Sequence, residues 1–449
     1  MTTATTPPRS RLADFWHDLP REGRLLLSVV AFEFIGTGLV LPFWVVYLHE
    51  VRDFSLSTTG LLLGVQPLAG LLVVGPGGSL IDHLGGRKVL IGSLVCAIAG
   101  ELVMTVASTI GLAALAMALT GISFGISWPA AQTMVAHVVP SNIRQRYFGV
   151  NFTLLNLGIG IGGLVGGALV DVHRLGTFQA IYLADAVSYL PALFLMAVPL
   201  RHVTGRAEHT DEHPTRPSYR EVLRLPAMPT LLVVTFVGSF VGYAQLNTGM
   251  PAYARALGKV STQGLGIAFA ANTLVIVLLQ LVVLHRIEGR RRSRVVAVMA
   301  AIWALAWLCM GASGLVPGTW GATVLIAACA SVFALGETLL QPTMPAMTND
   351  IATDRLRGRA NAISSAAFQS PMVIAPPVSG WLIGHHLAPL YITVLLLGCA
   401  AVAALAVFRL EPQLSAQANG VPVDPDLDTL AEARAAMGPA VGTPGLEQA

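Results

Sequence analysis

Four acidic side chains lie inside long apolar stretches of this sequence: Glu33, Glu101, Asp185 and Glu337. A carboxylate in the middle of a membrane costs about 2.5–3.5 kcal/mol on insertion scales, so such groups are rare and usually face a cavity or a partner. The apolar stretches contain no lysine or arginine that would neutralise them. Because burial without a cation disfavours the ionised form, the chemistry that these residues offer is the uptake and release of protons.

Twelve apolar spans carry these acids and set the architecture. Each span is close to the roughly 20 residues that a helix needs to cross about 30 Å of hydrocarbon. The spans cover 25–48, 58–80, 89–109, 111–136, 148–170, 177–199, 229–250, 262–284, 295–314, 319–346, 361–384 and 387–408. Charged residues make up only 11% of the chain, against roughly 25% in soluble domains. The sequence therefore predicts an all-α integral membrane protein with twelve transmembrane helices.

Basic residues are distributed unequally between the loops. All but four of the 27 Lys and Arg residues lie in the terminal segments and in the loops after spans two, four, six, eight and ten. The four exceptions are Arg52, Arg174, Arg255 and Lys259. Because basic loops stay cytoplasmic, we expect a multi-pass protein of the inner membrane with both termini in the cytoplasm. The net charge of +3 then reflects topology, and no nucleic-acid partner is expected.

The chain divides into two related halves. We expect a cytoplasmic arm over 1–24, six-helix bundles over 25–199 and 228–409, a cytoplasmic linker over 200–227 and a disordered tail over 410–449. A shift of 213 residues places the segment RQRYFGVNFTLL on RGRANAISSAAF, with Arg144 on Arg357. Internal duplication with a long connector between the halves is typical of two-bundle transporters.

The loop after span two carries a motif, GGSLIDHLGGRKVL, over 77–90. It resembles the signature of the major facilitator superfamily in that loop, through Gly78, Leu80, Asp82, Gly85, Arg87 and Lys88. The resemblance covers all twelve spans. It implies two pseudo-symmetric six-helix bundles around a central cavity, with spans one, four, seven and ten on the cavity wall.

Charges at the cytoplasmic ends of spans two and five suggest a gate. Asp82 can pair with Arg144 or Arg146 of the next basic helix end, with Arg87 and Lys88 close by in the same loop. Rocking of the bundles would have to break this pairing, so it would lock the cytoplasmic side. The alternative is a charge cluster that sets topology and never switches.

Span five carries glycines at every fourth residue: Gly158, Gly162 and Gly166, with Gly163 and Gly167 repeating the spacing. Small residues at this spacing form a flat stripe on which another helix packs closely. The segment is also similar to the antiporter-branch signature of the superfamily in span five. Helix packing and antiporter function are both compatible with the stripe.

The resemblance indicates which of the four acids lie on spans that face the cavity. Glu337 and Glu33 lie on cavity spans of the family topology, so we expect Glu337 first and Glu33 second to bind protons or cations. Asp185 and Glu101 lie on outer spans of that topology. They are either proton-binding groups or hydrogen-bonded neutral acids that serve packing.

Neutral polar side chains in the cavity spans are the candidates for substrate contact. The first of them are Gln66, Trp128, Gln245, Asn272 and Gln341. Amides and aromatic rings in an apolar cavity orient lipophilic molecules, although each such residue can instead bridge two helices. The lack of Arg or Lys in the cavity spans argues against anionic substrates and favours cationic or neutral lipophiles.

These features favour a secondary transporter and not an enzyme. The leading hypothesis is a monomeric, proton-coupled exporter of small lipophilic or cationic compounds, similar to the drug:proton antiporter branch and working by alternating access in the bilayer. No Walker A pattern occurs, so the proton gradient is the expected energy source, and no cofactor or metal is expected. The second hypothesis is a facilitator or proton symporter for a neutral nutrient such as a sugar or an amino acid. The third is a non-transporting receptor or scaffold.

Overall fold

The computed structural model describes residues 15–16, 18–204, 218–287, 289–353 and 356–421. In this part of the chain, twelve long helices follow one another. They are α1 (Arg21–Val51), α2 (Leu56–Leu84), α3 (Gly86–Val106), α4 (Ile110–Val138), α5 (Ser141–Leu169), α6 (Leu175–Ala197), α7 (Met228–Ala256), α8 (Thr262–Ile287), α9 (Arg292–Ser313), α10 (Trp320–Ile351), α11 (Arg357–Gly384) and α12 (Ala388–Gln413). The predicted all-α architecture is confirmed.

Eleven helices in the described part of the chain are long and apolar enough to cross a membrane, and α11 is the exception. Its amino-terminal half contains Ser364, Ser365, Gln369 and Ser370, which lower its hydropathy. Nevertheless α11 is as long as the other helices and packs against α2 and α7. Neighbouring helices thus cover much of its surface, so α11 needs less apolar surface than a helix that faces lipid.

The helices form two halves, α1–α6 and α7–α12. In the first half α1 packs on α5 and α6, and α4 packs on α2 and α3. In the second half α10 packs on α8 and α9, and α12 packs on α9. The two halves meet where α2 packs against α11 and where α5 packs against α8. Large apolar side chains such as Leu102, Phe194 and Phe408 are exposed on the outside, as a body that spans a membrane requires.

Helices α1 and α7, the first of each half, are irregular near their ends. A 3₁₀ turn at Leu41–Phe43 and a π-helical turn at Tyr47–Val51 interrupt α1. A π-helical turn at Gln245–Gly249 interrupts α7. Pro42 cannot donate a helical hydrogen bond, which accounts for the first break. Single π-helical turns within α-helices often occur at functional sites.

The carboxyl-terminal segment differs from the prediction that disorder begins at residue 410. Residues up to 421 are ordered against the start of α9: Asn419 O accepts from Arg292 N (2.8 Å), and Asn419 Oδ1 accepts from Ser293 N (3.0 Å). Glu411 accepts from Ser293 Oγ (3.0 Å) and pairs with Arg291 (2.6 Å). These specific polar contacts outweigh the disorder-prone composition. The predicted disorder of 422–449 and most of the predicted arm lie outside the described residues.

Candidate proton and substrate sites

The halves are joined at the end of the molecule that holds the α1–α2 turn, termed here the α1–α2 end. Glycines allow the contact, because a Cβ added to Gly60 of α2 would collide with the Pro376 carbonyl of α11. A Cβ added to Gly266 of α8 would likewise collide with the Gly163 carbonyl of α5. The Thr262 hydroxyl also donates across the contact to the Val170 carbonyl (3.4 Å).

An ion pair links α1 to α7 at the same end. Arg255 Nε donates to Glu50 Oε1 at 2.7 Å, and a second guanidinium nitrogen pairs with Glu50 Oε2. Arg255 also donates to the Val260 carbonyl at 2.6 Å, which fixes the guanidinium on the second half. Both side chains are mostly buried, and two parallel hydrogen bonds give the pair a defined geometry. This pair bridges the two halves directly.

The opposite end, which holds the turns after α2, α4 and α8, is open. The close contacts of α2 with α11 at Gly60 and Gly64, and of α5 with α8 at Gly163 and Gly167, all lie toward the α1–α2 end. The indole of Trp128 on α4 is 49% exposed, and Gln341 on α10 is exposed. The halves therefore enclose a cleft that is closed at the α1–α2 end and open at the other end.

In the second half, one acid reaches the cleft through a tyrosine. Glu337 of α10 is buried, and its carboxyl lies within interaction range of the Tyr243 hydroxyl of α7. That hydroxyl also accepts from the exposed Gln341 Nε2 at 2.7 Å. The rings of Phe333 and Phe368 lie edge-on to Tyr243, with centroids 5.8 and 5.3 Å away. Glu337, Tyr243 and Gln341 thus form a polar chain from a buried carboxyl to the cleft.

In the first half, the structure brings the other three acids together. Asp185 of α6 lies within electrostatic range of Glu33 on α1, and Glu101 on α3 lies within electrostatic range of Asp185. The Ser188 hydroxyl lies 3.3 Å from Asp185 Oδ1 and 3.3 Å from the Glu33 carbonyl oxygen. Asp185 and Glu101 are buried, so these acids of outer helices point into the bundle.

The five predicted substrate residues divide into two groups. Gln341 and Trp128 are exposed and Gln66 is half-buried, so these three remain available for contact with cargo. Gln245 is wholly buried, where it donates to the Phe240 carbonyl (3.0 Å) and accepts from the Tyr391 hydroxyl (2.7 Å).

Asn272 is also buried and donates to the Ala330 carbonyl at 3.0 Å. In this conformation Gln245 links α7 to α12, and Asn272 links α8 to α10. In this conformation the two amides satisfy their hydrogen bonds inside helix contacts, and their contact with substrate stays a prediction.

The described residues of the predicted gate make local contacts. Arg144 donates to the Ala136 (2.9 Å) and Val139 (3.1 Å) carbonyls, which are free at the end of α4. Arg87 donates to the Met196 carbonyl at 3.0 Å, and Lys88 is exposed. The side chains of Asp82 and Arg146 lie outside the described residues, so the gate stays a prediction.

The glycine stripes of α5 face two different helices. A Cβ on Gly158 would lie 2.7 Å from the Ala31 carbonyl oxygen, and Gly162 and Gly166 similarly contact the backbone of α1. A Cβ on Gly167 would lie 3.0 Å from the Thr262 carbonyl oxygen of α8. One stripe therefore packs within the first half, and the other packs across the two halves.

Sequence reasoning missed the roles of Glu50 with Arg255 and of the tyrosines beside the acids. One signal existed for the ion pair: Glu50 and Arg255 lie near the ends of the first span of each half, with opposite charges. Tyr243 stood out in the sequence only as a polar side chain in a cavity span, and for Tyr182 no comparable signal exists, because a tyrosine in an apolar span is commonly a core residue.

Two six-helix halves meet around a cleft through α1 with α7, α2 with α11, and α5 with α8, an arrangement typical of secondary transporters. The model of the Major Facilitator Superfamily matches residues 26–292 and 256–439. The chain therefore belongs to this superfamily and is a multi-pass membrane transporter, not an enzyme.

Curated relatives are similar over most of the chain. An uncharacterised transporter of the same superfamily from Bacillus subtilis, YttB, is 24% identical over 385 residues, covering 82% of this chain and 90% of the relative. The quinolone resistance protein NorA of Staphylococcus aureus is 24% identical over 363 residues, covering 80% of this chain and 90% of NorA.

Two solved transporter structures share the fold. A D-xylose–proton symporter superposes with a TM-score of 0.69 at 14% identity, covering 89% of this chain and 99% of the symporter. The nucleoside transporter NupG superposes with a TM-score of 0.66 at 13% identity, covering 88% of this chain and 99% of NupG. At these identities the likeness concerns the fold alone.

Proposed function

We propose that this protein is a proton-coupled exporter of small lipophilic or cationic compounds that works by alternating access. The observation that carries the proposal is the polar chain from Glu337 through Tyr243 to Gln341 at the cleft. An ionised carboxyl at the inner end of this chain attracts a cation in the cleft, and a protonated one does not. The similarity to NorA, named for quinolone resistance, supports an exported cargo.

The distribution of basic loops supports an inner-membrane orientation with the termini in the cytoplasm. In that orientation the open end of the cleft faces the cytoplasm, and the α1–α2 end faces outside. Cargo then enters the cleft from the cytoplasm while the ion pair of Glu50 and Arg255 holds the outer end closed.

Each transport cycle then has two steps, an outward opening that exchanges the cation for a proton and a return that releases the proton. Rocking of the halves breaks the Glu50–Arg255 pair and opens the outer end, where a proton binds Glu337 and displaces the cation. The protonated carrier returns to the open-inward state and releases the proton to the cytoplasm. Exchange of one proton for one monovalent cation moves no net charge, so the pH difference drives it, at about 1.4 kcal/mol for each pH unit. With a neutral cargo the proton carries a net charge inward, and a membrane potential of 100 mV adds about 2.3 kcal/mol.

The test uses everted membrane vesicles that contain the full chain, with ethidium as a lipophilic cationic probe. Respiration acidifies the vesicle lumen, and an antiporter then exchanges luminal protons for external ethidium. We expect ethidium uptake that stops when an ionophore collapses the gradient, with vesicles lacking the protein as the control.

Ethidium uptake that continues after the proton gradient is collapsed would contradict proton coupling. A nutrient symporter would give the opposite direction, because luminal protons would carry a preloaded sugar or amino acid out of the vesicle. A receptor or scaffold would move neither compound.

A further inference from the structure

The hydroxyl of Tyr182 on α6 is unusual in this structure. Tyr182 is wholly buried, and its hydroxyl has no hydrogen-bond partner among the described residues. Its ring lies against Tyr47 of α1, with ring centroids 4.8 Å apart. Tyr182 interacts electrostatically with Glu101 and Asp185. Since buried polar groups are normally paired, an unpartnered hydroxyl beside two carboxyls points to a ligand with hydrogen-bonding capacity.

The two carboxyls come from different helices and have little freedom to move. Glu101 is 4% exposed and Asp185 is 1% exposed. Asp185 Oδ1 lies 2.5 Å from the position that a Cβ on Gly36 of α1 would occupy, so the carboxyl fills the gap that this glycine leaves. Glu33 of α1 lies within electrostatic range of Asp185. The acids therefore lie between α1, α3 and α6.

The other titratable groups described around Glu101 and Asp185 place no positively charged partner against these carboxyls. The Arg52 guanidinium donates to the Tyr47 hydroxyl (2.8 Å) and to the Thr105 carbonyl (3.3 Å) near the α1–α2 end. The Tyr47 hydroxyl donates to the Met104 carbonyl at 2.8 Å. Tyr189, which also interacts electrostatically with the acids, is neutral when protonated. The nearest arginine is thus occupied by other partners.

A metal ion fits the site less well than a proton. In the described ranges of the chain, no group of three or more His, Cys, Asp or Glu side chains is placed to hold one metal ion. A proton needs only one carboxyl oxygen and one acceptor for its hydrogen bond. The cluster can meet that requirement in more than one arrangement.

We propose that Glu101, Asp185 and the Tyr182 hydroxyl form a second proton site, in the first half and separate from the cleft. One carboxylate takes a proton from hydronium and water is released. The new carboxyl O–H donates to the other carboxylate or to the Tyr182 oxygen, and in the deprotonated state the Tyr182 O–H donates to a carboxylate. The inference rests on the proton-coupled transport proposed above and adds a second proton to each cycle.

The position of Asp185 suggests how this site acts on transport. The Asp185 carboxyl fills the gap at Gly36 of α1. Gain or loss of its proton therefore changes the charge that lies next to the α1 backbone. Helix α1 also carries Glu50, whose pairing with Arg255 closes the α1–α2 end. The site is therefore placed to couple a proton to the movement of α1.

The test is infrared difference spectroscopy of the purified full chain in detergent, after a pH step, with the carboxylic acid C=O stretch as the signal. We expect wild type to take up about two protons per molecule at these sites and Glu337→Gln about one. Asp185→Asn should also retain about one proton, and Glu337→Gln with Asp185→Asn should retain almost none at these sites. Glu33→Gln in the same background separates any signal that comes from Glu33.

Tyr182→Phe keeps both carboxyls and removes only the hydroxyl, so it is the matched variant. It should shift the frequency and the pH midpoint of the signal that remains in Glu337→Gln. An unchanged signal in this background would overturn the role of Tyr182, and loss of the entire signal in Glu337→Gln would overturn the second site.

A monodisperse elution profile and a cooperative thermal unfolding transition check that each variant is folded. The spectroscopic result is independent of the vesicle experiment. If ethidium uptake in vesicles does not depend on the gradient but the infrared signal of the first half is present, the proposed proton-coupled exporter is contradicted. The proposed proton site would still be supported.

Discussion

The two halves of this transporter share a helix plan and differ in how their acids meet the solvent. In the second half, Glu337 reaches the cleft through Tyr243 and Gln341. In the first half, Glu101 and Asp185 are buried beside Tyr182, whose hydroxyl has no partner in the described part of the chain. The comparison teaches that a duplicated backbone does not impose duplicated chemistry. One half carries an acid that a tyrosine and a glutamine connect to the cleft, and the other carries acids enclosed by helices.

The largest effect is expected from Glu337→Gln, because it removes the acid that the polar chain connects to the cleft. Gradient-driven ethidium uptake into everted vesicles should fall to the level of vesicles that lack the protein. Glu22→Gln is the matched control, since Glu22 lies at the start of α1 near His202 and away from the cleft. Full uptake in Glu337→Gln would remove the functional difference between the two halves.

The next largest effect is expected from Gly162→Ala, which tests whether close packing of α1 on α5 encloses the acids of the first half. A Cβ at Gly162 would collide with the Ile35 carbonyl and would lie 2.8 Å from Gly38 Cα. Overpacking of this kind costs about 1–3 kcal/mol, so the thermal unfolding temperature in detergent should fall.

Gly149→Ala is the control for this substitution, because a Cβ at that position meets no described atom within 4 Å. Equal unfolding temperatures for the two variants would show that the α1–α5 contact tolerates more space than the structure allows.

The second half allows a sharper contrast between a buried amide and an exposed one. Gln245→Ala leaves the buried Tyr391 hydroxyl without its acceptor and removes the amide donor to the Phe240 carbonyl, which costs about 1–3 kcal/mol of stability. Gln341→Ala should leave the unfolding temperature almost unchanged and weaken ethidium binding measured by fluorescence. The reverse pattern would mean that Gln245, not Gln341, faces cargo.

The smallest effect is expected at the contact between the halves. The Glu50–Arg255 pair is partly exposed, so its coupling should amount to about 1 kcal/mol. A double-mutant cycle with Glu50→Gln and Arg255→Gln measures this coupling through the accessibility of a cysteine introduced at Thr59, a buried position at the α1–α2 end. Labelling should rise several-fold in each single variant and no further in the double variant. Additive increases would show that the two side chains act independently.

Much of the fold was predictable because it depends on local composition. Apolar length marks a membrane span wherever it occurs, and the asymmetry of basic residues indicates which loops share a side. Helix α11 shows the limit of hydropathy alone, since its serines and Gln369 weaken that signal. Its apolar length over 361–384 still marked it as a span, and the internal repeat related its start to the start of span five.

The candidate sites were predictable only in part. Rarity identified Glu33, Glu101, Asp185 and Glu337 one by one, because an acid in an apolar span stands out. Their grouping depends on how α1, α3 and α6 rotate against one another, and no local pattern in this sequence encodes that rotation. Sequence also could not separate Gln245 from Gln341, since an amide that bridges helices and one that faces a cleft look alike.

The most direct test of the account is the pH dependence of ethidium binding to purified wild type and Glu337→Gln in detergent. If the proton and the cation compete for one carboxyl, the dissociation constant of wild type should rise as the pH falls, and that of Glu337→Gln should stay constant. A pH dependence that is equally steep in both proteins would contradict the claim that Glu337 exchanges a proton for cargo.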